Sequence, residues 1–270
     1  MIQTYAGHST GGHSFERWHL EVFGCPGCKS SLVPMDSVLT CESCGTAYSV
    51  LNGIPALISP DTALEMTAGH LPVKEFYLFE RYDWTKDPKG LEYIYHHTRR
   101  AETWHYIEKL LPSDGIVLDI GCGTGLITHR LATIRQKAVA LDMNLWALNQ
   151  MNGKPYIVKA QADAEMLPVQ DSSVDMVIAT EVVEHLENPE ATLQEMLRVC
   201  RPGGWLVGSV PSTNSIWKMR QHLSMTCAGN EPFHRNFTRN EITDLWHRVG
   251  YDGQIHGICF GLNWLWTVQK

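Results

Sequence analysis

The sequence lacks the features of membrane, secreted and strongly basic proteins. It has no run of roughly 18 or more apolar residues, so no membrane span is predicted, and residues 1–19 have no apolar core like that of a signal peptide. Lysine and arginine number 22 against 29 acidic residues, giving a formal net charge of -7, and they form no cluster beyond Arg99-Arg100. This negative net charge disfavours nonspecific electrostatic binding to nucleic acid. We therefore expect a cytoplasmic protein without a membrane span.

The sequence also gives no sign of a disulfide framework, although it holds eight cysteines. Four are scattered in apolar surroundings, and the other four form two CxxC pairs, Cys25 with Cys28 and Cys41 with Cys44, separated by twelve residues. Two such knuckles typically converge on one tetrahedral metal ion. Four thiolates suit zinc and leave no open coordination position, so we expect a structural zinc site whose metal supplies folding energy. A redox-active cysteine pair is the alternative.

Changes in composition divide the chain into four parts. The first is rich in Gly, His, Ser and Thr and predicts a flexible tail. The second carries the CxxC pairs in short β-prone segments, and the third has irregularly spaced aromatic residues and a helix that ends before Pro112. The predicted ranges are 1–21 for the tail, 22–60 for the zinc-binding module, 61–111 for the linker and lid helices, and 112–270 for the main domain.

The main domain alternates apolar strands with helices, which is typical of parallel strands covered by helices. Two short β-prone segments at the end of the chain predict a hairpin with an antiparallel strand. The predicted strands are 116–120, 138–142, 156–161, 174–180, 205–210, 253–260 and 264–269; the predicted helices are 91–111, 126–134, 145–151, 189–199 and 241–249.

A glycine loop follows the first of these strands. Gly121, Gly123 and Gly125 let the chain turn sharply and bring its backbone close to a ligand. Asp142, which ends the second strand, lies where doubly wound folds place a carboxylate for ribose hydroxyls. These residues alone fit a nicotinamide dinucleotide or S-adenosylmethionine. Asp119 favours the second, because a carboxylate suits an ammonium group and repels a pyrophosphate.

The ordered segments 117–125, 138–142, 163–168, 174–180 and 201–210 resemble those of the class I S-adenosylmethionine-dependent methyltransferases. This resemblance implies an α/β fold with a doubly wound, seven-stranded Rossmann-like sheet whose last strand is antiparallel. It implies that the glycines line the methionine moiety, that Asp142 binds the ribose, and that Asp163 and Ala164 meet the adenine. The full implied cofactor site is Asp119, Gly121, Cys122, Gly123, Gly125, Asp142, Met143, Asp163, Ala164 and Thr180.

The cysteine segment, with the following Gly53-Ile54-Pro55, resembles the small zinc-ribbon domains that are fused to or partnered with methyltransferases acting on RNA or protein. This resemblance implies a small N-terminal zinc ribbon beside the catalytic domain. It favours a macromolecular acceptor only weakly, since such a ribbon can simply support its neighbour.

A polar segment after the fourth main-domain strand supplies the candidate chemistry. Glu181, Glu184 and His185, together with His234, resemble the metal-binding residues of ubiquinone-pathway catechol O-methyltransferases and small-RNA 2′-O-methyltransferases. One hypothesis is therefore a divalent cation, Mg²⁺ or Mn²⁺, that lowers the pKa of an acceptor hydroxyl. The other is metal-free catalysis by His185 as general base, with Glu184 and His234 beside it.

Together these patterns predict methyl transfer from S-adenosylmethionine to an oxygen of a small or lipid-like metabolite. An RNA methyltransferase is the alternative, favoured by the ribbon and disfavoured by the net charge. A non-catalytic scaffold would carry degenerate cofactor motifs, and none occur here. A nicotinamide oxidoreductase is the remaining competitor.

Overall fold

A computed structural model describes residues 15–69, 72–79, 81, 89–213 and 235–270. The helices, numbered over these residues, are α1 Arg17–Val22, α2 Pro60–Thr67, α3 Pro72–Phe79, α4 Gly90–Leu110, α5 Leu126–Thr133, α6 Leu145–Gln150, α7 Pro189–Val199 and α8 Arg239–Arg248. The strands are β1 Leu32–Met35, β2 Val38–Cys41, β3 Ala47–Leu51, β4 Ile54–Leu57, β5 Ile116–Ile120, β6 Lys137–Asp142, β7 Ile157–Ala162, β8 Val174–Thr180, β9 Cys200–Pro211, β10 Gln254–Ile258 and β11 Asn263–Gln269. Short 3₁₀ turns lie at Val183–His185 and Cys259–Gly261.

The described strands form one sheet in the order β1-β2-β3-β4-β7-β6-β5-β8-β9-β11-β10. The pairs from β4–β7 through β8–β9 are parallel, whereas β11 pairs antiparallel with both β9 and β10. The predicted Rossmann-like α/β fold and the antiparallel terminal hairpin are therefore present. Adjacent parallel strands place their carboxyl ends at one edge, where ligands of such folds bind.

The predicted count of seven strands is wrong for the sheet as a whole, which has eleven described strands. Strands β1 to β4 come from the cysteine-containing segment and pair antiparallel with one another. The last of them, β4, then pairs in parallel with β7 through Ala56 opposite Gln161 and Leu57 opposite Ala162. An unpaired strand edge readily accepts another strand. The N-terminal segment therefore extends the main sheet at its β7 edge.

Alternate residues of the central strands are buried on opposite faces, as the two-residue strand period requires. On one face Val117 packs with Trp104 and Ile107 of α4. On the other, Leu118 belongs to the large core, which also contains Leu39 of β2 and other buried residues of the N-terminal segment. The N-terminal segment and the main sheet thus share one continuous hydrophobic core.

The last residues of the predicted 1–21 tail lie in a helix. Residues 1–14 lie outside the described part of the chain, but Arg17–Val22 form helix α1. Val22 and the following Phe23 are fully buried in the large core, and Phe23 forms a β-bridge with Val169. Burial of these apolar side chains holds the segment on the main domain. No helix among the described residues has both the length and the apolar character that crossing a membrane demands.

Candidate active site and metal centre

The glycine loop between β5 and α5 turns through three left-handed residues. Gly121, Gly123 and Gly125 have φ angles of 63°, 53° and 90°, a region that side chains disfavour. A Cβ on Gly121 would collide with Cγ2 of Val182, whereas a Cβ on Gly123 would meet no atom within 4 Å. Gly121 is therefore needed for packing, and Gly123 leaves open space that a ligand can approach, as the predicted cofactor site requires.

Replacing Gly121 by alanine is expected to lower the free energy of unfolding by about 1 to 3 kcal/mol, because a Cβ would add backbone strain and the clash with Val182. Urea unfolding followed by circular dichroism measures the change. Gly153→Ala is the matched control, since its Cβ would enter open space. Equal stability of the two variants would contradict the packing role.

Asp142 organises the loop from the end of β6. Its Oδ2 accepts a hydrogen bond from the Gly123 backbone N–H at 2.7 Å, and its Oδ1 accepts one from the Asn144 N–H at 2.7 Å. Burial raises the pKa of Asp142. The neighbouring Cys122 is packed beside Met151, and burial raises the pKa of its thiol well above the ordinary value. Asp142 thus shapes the glycine loop, and the thiol of Cys122 is buried within that loop.

Asp119 lies deeper, at the end of β5, and is 2% exposed. Its Oδ2 accepts a hydrogen bond from Oγ1 of Thr128 at 2.5 Å. Burial, supplemented by the negative charge of Asp142, raises the pKa of Asp119 to about 7, against the lowering effect of the Thr128 hydrogen bond. A positively charged group nearby would favour its ionised form.

The raised pKa of Asp119 predicts a pH-dependent affinity for S-adenosylhomocysteine, whose amino acid group carries an ammonium. Asp119 is mostly neutral at pH 6 and half ionised at pH 7, so affinity should rise about fivefold over this interval. Titration calorimetry at both pH values measures the change. Asp119→Asn should abolish this dependence, and an unchanged pH profile in that variant would contradict the prediction.

The loop after β7 carries the two residues that the resemblance assigned to adenine, Asp163 and Ala164. The Oδ1 of Asp163 accepts the Glu165 backbone N–H at 3.0 Å, which closes a tight turn. Its Oδ2 lies 2.6 Å from Nζ of Lys74, and Lys74 also pairs with Oε2 of Glu165 at 2.7 Å. Nearby, the carbonyl of Met143 accepts a hydrogen bond from the Gln161 side chain at 2.9 Å. Lys74 of α3 was not identified from the sequence.

Glu181 follows β8 with a left-handed φ of 57°. One of its carboxylate oxygens accepts hydrogen bonds from Ser209 Oγ at 2.7 Å and from Asn263, and the other pairs with Arg99 at 2.5 Å. The sequence did not identify these three partners. Thr180, just before Glu181, ends β8 opposite Ser209. The Glu181 carboxylate is thus bound by Arg99, Ser209 and Asn263, and it forms no cation-ligand group with Glu184 and His185.

His185 lies in the 3₁₀ turn after Glu181. Its Nδ1 is 2.6 Å from the Tyr77 hydroxyl, and its Nε2 is 3.7 Å from Oε1 of Glu184. Glu184 is 1% exposed. His234, the remaining member of the predicted catalytic and cation sets, lies outside the described residues. The structure therefore brings together His185 and Glu184, and adds Tyr77.

The four predicted zinc ligands converge. Cys25 and Cys44 have sulfurs 3.7 Å apart, those of Cys28 and Cys41 are 3.4 Å apart, and all four lie within 4.8 Å of one another. Zinc–sulfur bonds of about 2.3 Å in a tetrahedron place sulfurs about 3.8 Å apart. Hydrogen bonds from Ser30 lower the pKa of Cys28 to about 6, whereas burial raises the pKa of Cys41 to about 11. The donor set and its spacing fit a structural zinc ion.

No second candidate metal centre is found in the part of the chain that the structure describes. The four cysteines are the one group there of three or more His, Cys, Asp or Glu side chains close enough to share an ion. Glu181, Glu184 and His185 do not form such a group. The geometry of these three residues thus gives the Mg²⁺ or Mn²⁺ hypothesis no support.

The cysteine knuckles contact the loop that follows Asp163. The Gly24 N–H donates to the Pro168 carbonyl at 3.0 Å, and Nζ of Lys29 donates to the Leu167 carbonyl at 3.2 Å. Lys29 also pairs with Glu195 of α7 at 2.9 Å. The candidate metal centre is therefore connected directly to the segment that carries the candidate adenine residues.

Comparisons with known proteins agree with this geometry. Residues 95–254 match the family described as "Methyltransferase domain". The malonyl-[acyl-carrier protein] O-methyltransferase of Hahella chejuensis is 36% identical over 111 residues, 39% of this chain and 39% of that protein. The ubiquinone biosynthesis O-methyltransferase of Cereibacter sphaeroides is 26% identical over 201 residues, 68% of this chain and 79% of that protein.

Solved structures show the same fold at low sequence identity. The magnesium protoporphyrin IX methyltransferase of Synechocystis PCC 6803, which has S-adenosylhomocysteine bound, superposes with a TM-score of 0.57 at 13% identity, over 74% of this chain and 98% of that chain. The alignments with the first curated relatives span 39% to 55% of those proteins' lengths. Since the family match covers more than half of the chain, the chain belongs to the class I S-adenosylmethionine-dependent methyltransferases.

Proposed function

We propose that the chain transfers a methyl group from S-adenosylmethionine to a hydroxyl oxygen of a small or lipid-like metabolite. The observation that carries this proposal is the order of groups along the carboxyl edge of the sheet. Asp163, Asp142 and the glycine loop follow the neighbouring strands β7, β6 and β5, and His185 comes after β8, on the other side of β5. This order supports a site with the candidate cofactor residues on one side and the candidate base on the other.

The residues at this edge suit the separate parts of the cofactor. Asp142 would bind the ribose hydroxyls, Asp163 and Ala164 would hold the adenine, and Asp119 would face the amino acid group across the glycine loop. When bound, the cofactor supplies a methyl group activated by a positively charged sulfur. The remaining work of the protein is positioning and proton removal.

His185 would supply the proton removal that a hydroxyl acceptor needs. The acceptor proton would pass to Nε2 of the imidazole, with the Nδ1 proton donated to the Tyr77 hydroxyl oxygen 2.6 Å away, and the buried carboxylate of Glu184, 3.7 Å from Nε2, would favour the positively charged ring. The proton then leaves to water. Oxygen acceptors are also named for two relatives, the malonyl-[acyl-carrier protein] and ubiquinone biosynthesis O-methyltransferases, and this supports oxygen as the acceptor atom.

Zinc would have a structural role in this protein. Thiolates of Cys25, Cys28, Cys41 and Cys44 would complete the tetrahedral coordination of the ion, so no coordination position would remain for a substrate. The ion would fix the knuckle that contacts the 163–170 loop.

The test is transfer of a tritiated methyl group to a panel of acceptors, in buffer free of Mg²⁺ and Mn²⁺. The panel is 3,4-dihydroxybenzoate, a malonyl thioester and total RNA. We expect label on a hydroxyl oxygen of 3,4-dihydroxybenzoate, at least a hundredfold less of it in His185→Ala, and no loss in the exposed control His247→Ala. The malonyl thioester tests an oxygen acceptor that needs no base, because its carboxylate is already ionised, and label on it alone would overturn the hydroxyl proposal. Label in RNA alone would overturn the small-acceptor proposal. Binding of S-adenosylhomocysteine without any transfer would favour the scaffold alternative.

A further inference from the structure

Helix α3 contacts both halves of the proposed site. Lys74 and Tyr77 are three residues apart, so their side chains lie on the same face of the helix. The ammonium of Lys74 meets the carboxylates of Asp163 and Glu165, while the hydroxyl of Tyr77 meets His185. One short helix thus touches the predicted adenine residue and the predicted base.

The Lys74 contact is a close and largely buried ion pair. Its two N–O distances are 2.6 and 2.7 Å, and the side chains of Lys74, Asp163 and Glu165 are only 16%, 5% and 17% exposed. Removal from water strengthens such pairing, although it also adds a desolvation cost. Glu165 in addition accepts the Asn188 N–H at 2.9 Å, just before α7 begins. Lys74 therefore holds α3 on the loop after β7, and Glu165 connects the same loop to the start of α7.

The Tyr77 contact fixes the imidazole. The hydroxyl lies 2.6 Å from Nδ1, and the two ring centres are 4.9 Å apart at an interplanar angle of 59°. A hydrogen bond to one ring nitrogen sets the orientation and protonation pattern of the other. With Tyr77 at Nδ1, the other nitrogen of His185 is turned towards Glu184.

We propose that α3 couples the cofactor loop to the base: Lys74 anchors the helix on Asp163 and Glu165, and Tyr77 positions the imidazole of His185. Both are positioning residues, because they act through Asp163 and His185. This inference rests on the proposed function in taking His185 as the base. It goes further in assigning roles to two residues outside the matched methyltransferase domain, which begins at residue 95.

The test combines three measurements on Tyr77→Phe and Lys74→Met. The ¹⁵N chemical shift of His185 Nδ1 reports the imidazole hydrogen bond, and calorimetry reports affinity for S-adenosylhomocysteine. The kinetic constants kcat and KM report transfer to the small acceptor that the panel described above identifies. Tyr93→Phe, on the exposed side of α4, and the exposed Lys109→Met are matched controls. Lys74→Arg keeps the positive charge and should restore the wild-type values.

We expect Tyr77→Phe to change the His185 signal and to lower kcat at least tenfold, with affinity for S-adenosylhomocysteine changed less than about twofold. Lys74→Met should move the same signal in the same direction and weaken binding of S-adenosylhomocysteine by about fivefold or more. A Lys74→Met protein with an unchanged His185 signal would overturn the coupling. An unchanged signal in Tyr77→Phe would overturn the positioning role. The chemical shift needs no acceptor, so it decides the coupling even where the proposed transfer fails.

Discussion

Asp142→Ala is expected to weaken binding of S-adenosylhomocysteine about a hundredfold or more. The carboxylate holds the Gly123 and Asn144 N–H groups at 2.7 Å each, and in the proposed function it also binds the ribose hydroxyls. Hydrogen bonds to a charged group contribute roughly 1.5 to 3 kcal/mol each, and 1.4 kcal/mol corresponds to a tenfold change in affinity. Loss of the ribose contacts, together with loss of order in the glycine loop, accounts for the expected hundredfold loss of affinity.

Calorimetry measures this loss, and the control is Asp252→Ala. That substitution removes the same charge from a side chain that is 97% exposed and pairs with His247. We expect it to leave affinity unchanged. Asp142→Asn should bind poorly as well, because an amide offers one acceptor oxygen for two backbone N–H groups. If Asp142→Ala bound as tightly as the wild type, the assignment of this loop to the ribose would be wrong.

Cys41→Ser is expected to remove the metal and to lower the free energy of unfolding by about 4 kcal/mol or more. Cys41 is 1% exposed and ends β2, so its loss leaves a three-thiolate site in a module with little core of its own. In such modules the free energy of metal binding contributes directly to the stability of the folded state. Because Gly24 and Lys29 hold the 163–170 loop, affinity for S-adenosylhomocysteine should also fall.

Elemental analysis and urea unfolding test the zinc prediction. The wild type should contain one zinc ion per chain, and Cys41→Ser close to none. Cys200→Ser is the control, since Cys200 is also buried but is not one of the four clustered cysteines, and it should keep the metal. A Cys41→Ser protein with full stability and full cofactor affinity would contradict the structural role of the site.

Much of the main domain could be predicted from local chemistry. Strands β5 and β8 and helix α7 have the predicted limits, because apolar runs end at turn residues and because Asn188 and Pro189 form a strong helix start. The convergence of the four cysteines could also be predicted, since CxxC spacing dictates it. These features depend on residues that are close in sequence.

The joining of the N-terminal segment to the main sheet could not be predicted in the same way. The pairing of β4 with β7 brings together residues about a hundred positions apart through backbone hydrogen bonds, which are common to all residue types. The same limit applies to Glu181, whose partners Arg99, Ser209 and Asn263 come from a helix and two distant strands. The resemblance to metal-binding methyltransferases suggested a cation ligand at Glu181, whereas the fold pairs this carboxylate with Arg99.

The measurement that most directly tests the central claim is calorimetric titration of the wild-type chain with S-adenosylhomocysteine and, separately, with NAD⁺. We predict one S-adenosylhomocysteine site per chain with a micromolar dissociation constant, lost in Asp142→Ala, and no heat with NAD⁺. No binding of S-adenosylhomocysteine at millimolar concentration, or saturable binding of NAD⁺ in its place, would contradict the assignment of this site to a methyl donor.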